Sequence, residues 1–165
     1  MNIQDARALI NYNYWARDRV LDAVDALSDE QFTSTVTSSF GSARDTLVHV
    51  LSAESVWLSR WKGEVRSGML SASDYPTRAS VRKAWQEEEG KMRAFFETMT
   101  DEGLTRVIDY KAFNGEPYSN PLFQMLQHVV NHGSYHRGQV TTLLRQLGVA
   151  PPKPLDLIFF YRETA

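Results

Sequence analysis

Apolar residues recur every three or four positions over four long stretches of this chain, the spacing that one buried face of an α-helix requires. The first stretch runs from Asn2 to Leu27, with Ile3, Ala6, Ile10, Tyr14, Val20, Leu21 and Val24 on its stripe. Ser28-Asp29-Glu30-Gln31 then reads as a capping box that opens a short turn. The second stretch begins near Ser42, an N-cap after Gly41, and stops at Lys62-Gly63. Leu47, Val50, Leu51, Leu58 and Trp61 form its stripe. The third begins near Thr77 or Ser80 and reaches about Met99. There Val81, Trp85, Met92, Phe95 and Phe96 face inward, and Glu87, Glu88 and Glu89 read as solvated surface. The fourth starts at Pro121, a good first-turn residue, and runs to Leu147 with Gly148 as its stop.

The pattern changes between Leu104 and Asn120. Val107-Ile108-Asp109-Tyr110, followed by Asn114-Gly115, predicts a small β-hairpin with a type I′ turn. After Gly148, Pro151, Pro152 and Pro154 forbid helix, while Leu157 to Tyr161 is apolar enough to dock back on the helices. The chain shows no internal repeat and no low-complexity run. The expected fold is therefore all-α: one domain over residues 1–165, built as a four-helix bundle of the antiparallel type, with a small hairpin between the third and fourth helices.

Composition narrows the function mainly by exclusion. At 165 residues and 42% apolar content the chain can bury a full core without staples. The net charge is −2 and no block of like charge offers a footing on nucleic acid, so no nucleic-acid partner is expected. No segment approaches the ~20 apolar residues of a membrane span. Met1 to Arg7 already carries Asp5 and Arg7 and does not read as a signal peptide, which leaves the cytoplasm as the default location. There is no cysteine, so disulfides, thiolate nucleophiles and sulfur-ligated metals are excluded.

The histidines carry the chemistry. The chain has four, at positions 49, 128, 132 and 136. Residues four apart on a helix differ by only about 40° in direction, so His128, His132 and His136 stack on one face of the fourth helix. One ion cannot take all three. Positions eight apart are separated by ~12 Å along the axis, whereas a zinc–nitrogen bond spans only ~2.0–2.1 Å. The spacing thus allows either His128 with His132 or His132 with His136, completed from another helix. His49 supplies the imidazole elsewhere, in the middle of the second helix. Three imidazoles plus water make a reactive, open metal site. Two familiar sites are absent. Gly133 follows His132, so a zincin HExxH has no glutamate, and Met125 and Thr46 stand where the ExxH motifs of a di-iron bundle need acids.

The segment His128-Val-Val-Asn-His132-Gly-Ser-Tyr-His136-Arg-Gly-Gln139 resembles the C-terminal motif of the DinB/YfiT-like family of metalloenzymes, and the likeness continues through Leu143 to Gly148. Tyr12 to Ala16, Leu27 to Phe32, Gly41 to His49 and Trp57 to Gly63 resemble other blocks of the same family, in the same order. The resemblance implies an up-down-down-up bundle with a long crossover between the second and third helices, and frequent homodimers. It implies one divalent ion, nickel or zinc, held by His49, His132 and His136. It also implies transferases that use low-molecular-weight thiols such as bacillithiol, mycothiol or glutathione, and that attack an electrophilic small molecule. A metal-dependent hydrolase and a non-enzymatic, damage-inducible metal-binding protein of the stress response are the alternatives. Residues expected around the ligands are His128 one turn away, Asp45 one turn before His49, Gln139 three after His136, Trp57 two turns beyond His49, and Asn13 in the first helix.

Overall fold

The computed structural model describes residues 1–64, 66 and 68–164. Four long helices follow the four periodic stretches: α1 (Ile3–Val24), α3 (Ala43–Trp61), α4 (Arg78–Glu97) and α6 (Leu122–Gln146). Short helices α2 (Asp29–Thr33) and α5 (Asp101–Thr105) sit in the connections, and α7 (Leu157–Thr164) ends the described chain. A two-stranded antiparallel sheet, β1 (Val107–Lys111) with β2 (Pro117–Pro121), precedes α6.

Local chemistry sets the boundaries. Asn2 and Asp5 form a reciprocal capping box for α1, and Ser28 with Gln31 does the same for α2. Ser42 accepts from the Asp45 N–H at the start of α3, and Thr77 caps α4. Gly63 and Gly148 close α3 and α6 at φ of +74° and +76°, a conformation open to glycine without a Cβ clash. Pro121 is both the last residue of β2 and the N-cap of α6, so the helix proper starts one residue later than its sequence signal.

α6 packs on α1 and α3, and α4 packs on the same two helices. The core between them includes Tyr14, Val20, Leu51, Trp61, Trp85, Phe96, Leu126 and Leu144, all nearly inaccessible. Fully burying an aliphatic or aromatic side chain contributes roughly 1.5–3 kcal/mol, so this shared core dominates the stability of the helix packing. Along the α3–α6 seam, His49 meets His132 and His136, while Trp57 meets His128. The two helices therefore run in opposite directions at the site.

Three further details differ from the sequence reading. The hairpin turn is not type I′, which needs positive φ at both central residues. Of Asn114 and Gly115 only Gly115 has positive φ, and the Gly115 N–H reaches the Ala112 carbonyl. This is the longer hairpin loop with a type I turn followed by a left-handed glycine. Glu88 is buried rather than solvated, and it accepts from Lys91 at 3.2 Å. The tail docks as expected but does so as a helix, with Phe160 buried against Tyr12 and Trp15 and Glu163 paired to Arg19.

Candidate metal centre

α3 and α6 bring three imidazoles together. The ligand-capable atoms of His49, His132 and His136 all lie within 4.8 Å of one another. His132 Nε2 stands 3.1 Å from His49 Nε2 and 3.1 Å from His136 Nε2. A tetrahedral ion with bonds of ~2.05 Å needs neighbouring nitrogens ~3.3 Å apart. The donor set therefore fits one shared divalent ion. Among the described residues no aspartate or glutamate joins the group.

Gln139 settles which nitrogen of His136 faces inward. Its Oε1 lies 2.7 Å from His136 Nδ1, and an amide oxygen can only accept, so Nδ1 carries the hydrogen. The lone pair of the neutral ring is then on Nε2, which points at the cluster. Gln139 is held in turn by Ser39, whose Oγ receives its Nε2–H at 3.0 Å.

The environment favours the neutral rings of His132 and His49. Burial, then the neighbouring rings of His136, His49 and His128, push the His132 pKa down to about 4. Burial, then His136, lowers that of His49. Neutral imidazole is the metal-binding form.

Phe40 is a site residue that the sequence reading missed. Its ring stacks on His49 at 4.0 Å between centroids and meets His136 edge-on at 5.4 Å. The one signal was an aromatic residue just ahead of the Gly41-Ser42 helix start. Tyr135, 65% exposed, packs edge-on against His136 from the solvent side.

The remaining expected residues divide. His128 stays outside the cluster, its ring 5.9 Å from that of His132 and 5.1 Å from that of Trp57. Trp57 is half-buried and continues into Tyr110 of the hairpin. Asp45 is not brought to the histidines: its carboxylate accepts from Arg44 Nε at 2.8 Å at the first turn of α3.

Asn13 is buried but turns away from the imidazoles. Its Nδ2 donates to Glu54 Oε1 at 2.8 Å, and its Oδ1 accepts from Arg137 Nη1 at 2.8 Å. Trp85 Nε1 donates to the other oxygen of Glu54 at 2.8 Å. Burial raises the Glu54 pKa, against the pull of hydrogen bonds from Asn13 and Trp85 and the charges of Arg137 and Arg17. This network ties α1, α3 and α4 to Arg137, the neighbour of His136 on α6. It therefore fixes the rotation of the helix that carries His132 and His136.

Comparison with known proteins agrees with this architecture. The family model described as DinB family matches residues 1–163. Protein DinB of Bacillus subtilis (strain 168) is 27% identical over 162 residues, which cover 94% of this chain and 94% of that protein. Among solved structures, the crystal structure of a DinB-like protein from Bacillus cereus ATCC 10987 is 22% identical and has a TM-score of 0.67, covering 88% of this chain and 95% of that one. The last likeness bears on the fold alone. With the family model matched along nearly its whole length, this chain belongs to the DinB family.

Proposed function

We propose that this protein is a metal-dependent transferase that activates a low-molecular-weight thiol for attack on an electrophilic small molecule. The observation that carries the reading is the convergence of three imidazoles, with no carboxylate joining them among the described residues. Bound there, a divalent ion such as nickel or zinc would keep its full double charge and would lower the pKa of a thiol or water beside it. His49, His132 and His136 hold the ion, and Gln139 orients His136. Phe40 covers one flank of the cluster, stacked on His49 and edge-on to His136. Trp57 and His128 pack on one another next along the α3–α6 seam. The chain has no cysteine, so any sulfur nucleophile must come from outside.

We further read the helices as an up-down-down-up bundle that works as a homodimer. The 16 residues between α3 and α4, of which Leu70, Ala72 and Tyr75 pack on the core, support the long crossover this topology needs. Among the described residues no helix is long and apolar enough to cross a membrane.

The test has two stages. Elemental analysis of the purified protein should find about one transition metal per chain. The metal-loaded protein should then conjugate a model electrophile such as monochlorobimane with bacillithiol, mycothiol or glutathione. Metal without conjugation, but with metal-dependent cleavage of esters, amides or phosphates, makes the protein a hydrolase. Metal with neither activity makes it a binding protein.

A further inference from the structure

We propose that the cleft between α3 and the β-hairpin is an anion subsite, in which Arg60 binds a carboxylate of the molecule whose reacting end lies at the three histidines.

Arg60 stands eleven residues after His49 on α3. Eleven residues turn the helix through three full turns plus about 20°, so both side chains leave the same face, ~16 Å apart along the axis. Trp57 and His128 occupy the intervening stretch. The Arg60 guanidinium lies 4.7 Å from the Trp57 ring centroid, 5.0 Å from that of Tyr110 and 5.5 Å from that of Phe113. Three rings from two elements thus hold one cation in place.

That cation has little other employment. Among the described residues, its hydrogen bonding is a single donation, from Nη2 to the Lys111 carbonyl at 3.1 Å, and no carboxylate pairs with it. A guanidinium offers five N–H groups in a rigid fork that matches a carboxylate in two places. A fork already immobilised by stacking loses little further freedom on binding, which raises affinity.

Arg60 opens onto a cavity of about 520 Å³, within the size range of small-molecule sites. Its charged lining is Arg60, Arg66 and Lys111 on one side of the balance and Glu64 and Asp109 on the other. Glu64 is paired with Lys62 at 3.0 Å, and Asp109 accepts from Ser119. The cations therefore prevail. Tyr110 and Phe113 add apolar surface for the body of a ligand. The ligand class that fits is an elongated small molecule with a carboxylate at the end remote from its reacting group. The placing of that reacting group rests on the transferase reading; the anion subsite does not.

The experiment is an NMR titration of full-length protein, following the Arg60 Nε–H and Trp57 indole signals, with citrate and with glutathione as probes. Metal-free and nickel-loaded samples of wild type, Arg60→Gln and Arg60→Lys are compared. Citrate should shift both signals saturably with or without nickel. Its affinity should fall tenfold or more in Arg60→Gln, and less in Arg60→Lys, which keeps the charge but not the fork. Nickel stoichiometry and Tm should match wild type in at least the lysine variant. Equal citrate affinity in wild type and both variants, or no saturable shift with either probe, overturns the proposal. Citrate binding lost in Arg60→Gln, together with no thiol-transfer activity, supports the subsite and sinks the transferase reading. Thiol transfer with unchanged thiol and electrophile KM in both variants does the reverse.

Discussion

Gly133 and Arg137 lie one turn apart on α6, and a Cβ at position 133 would stand 2.9 Å from Arg137 Nη1. It would also stand 3.1 Å from Asn13 Oδ1, the atom to which Arg137 donates. The glycine that removes the HExxH glutamate thus makes room for the buried network beside the histidines. Arg137 cannot swing aside easily, because Asn13 and Ser134 both hold its guanidinium.

Gly133→Ala is therefore expected to destabilise the protein by about 1–3 kcal/mol, despite the better helix propensity of alanine. Gly138, on the same helix, has nothing within 4 Å of an added Cβ. Gly138→Ala should stabilise by roughly 0.5–1 kcal/mol. Urea unfolding of the two variants checks the pair, and the same sign for both would refute the packing account.

The cluster makes unequal demands on the four histidines. His49→Ala, His132→Ala and His136→Ala should each reduce metal content to well below one ion per chain, because two imidazoles hold an open site poorly. His128→Ala should leave it nearly unchanged, since His128 sits outside the group. Elemental analysis of the four variants decides this. Metal lost in His128→Ala and retained in His136→Ala would make His128 and His132 the binding pair on α6.

Gln139 contacts His136 Nδ1 on the side of the ring away from the cluster. Gln139→Leu is expected to weaken metal affinity by about 10–100-fold, while Gln139→Glu, which also accepts from Nδ1, should retain it. Competition with a chromophoric chelator measures both. Equal affinity in wild type and the leucine variant would reduce Gln139 to a surface contact.

The metal-stripped protein should be acid-sensitive in a defined window. The folded-state pKa of His132 is depressed to about 4 from the ordinary 6.5, so folding favours the neutral ring. The stability contributed by that preference is fully present above pH 6.5 and is lost as the pH falls through about 4. His49, also depressed, acts in the same direction. Tm of the stripped protein should decline across this window, and His132→Asn should flatten the decline. An identical profile in the variant would assign the acid sensitivity to other groups.

Much of this molecule could be read along the chain because the signals are local. Ser28-Asp29-Glu30-Gln31 caps α2 through atoms three residues apart, and Gly63 and Gly148 close helices through their own φ. His132 and His136 share a face by helical repeat alone. Asn114-Gly115 misled because one dipeptide serves more than one hairpin loop, and the strand register at Lys111↔Pro117 selected the longer one. Glu88, between two other glutamates, read as surface; its burial depends on what packs against α4, which no local pattern records.

The sequence by itself determined the four long helices, most of their end signals, the lack of a cysteine thiol in the chain and the stack of three histidines on one helix face. These follow from backbone geometry and residue type over a few positions. The tertiary structure decided the rest. It placed His49 against His132 and His136, laid Phe40 on the cluster, and turned Asn13 toward Glu54 and Arg137 instead of the imidazoles. It also took Asp45 out of the site and gathered three aromatic rings around Arg60. Each of these is set by how one helix is rotated and shifted against another. That rotation depends on the sum of the packing across the core, a property of the whole chain and of no single segment.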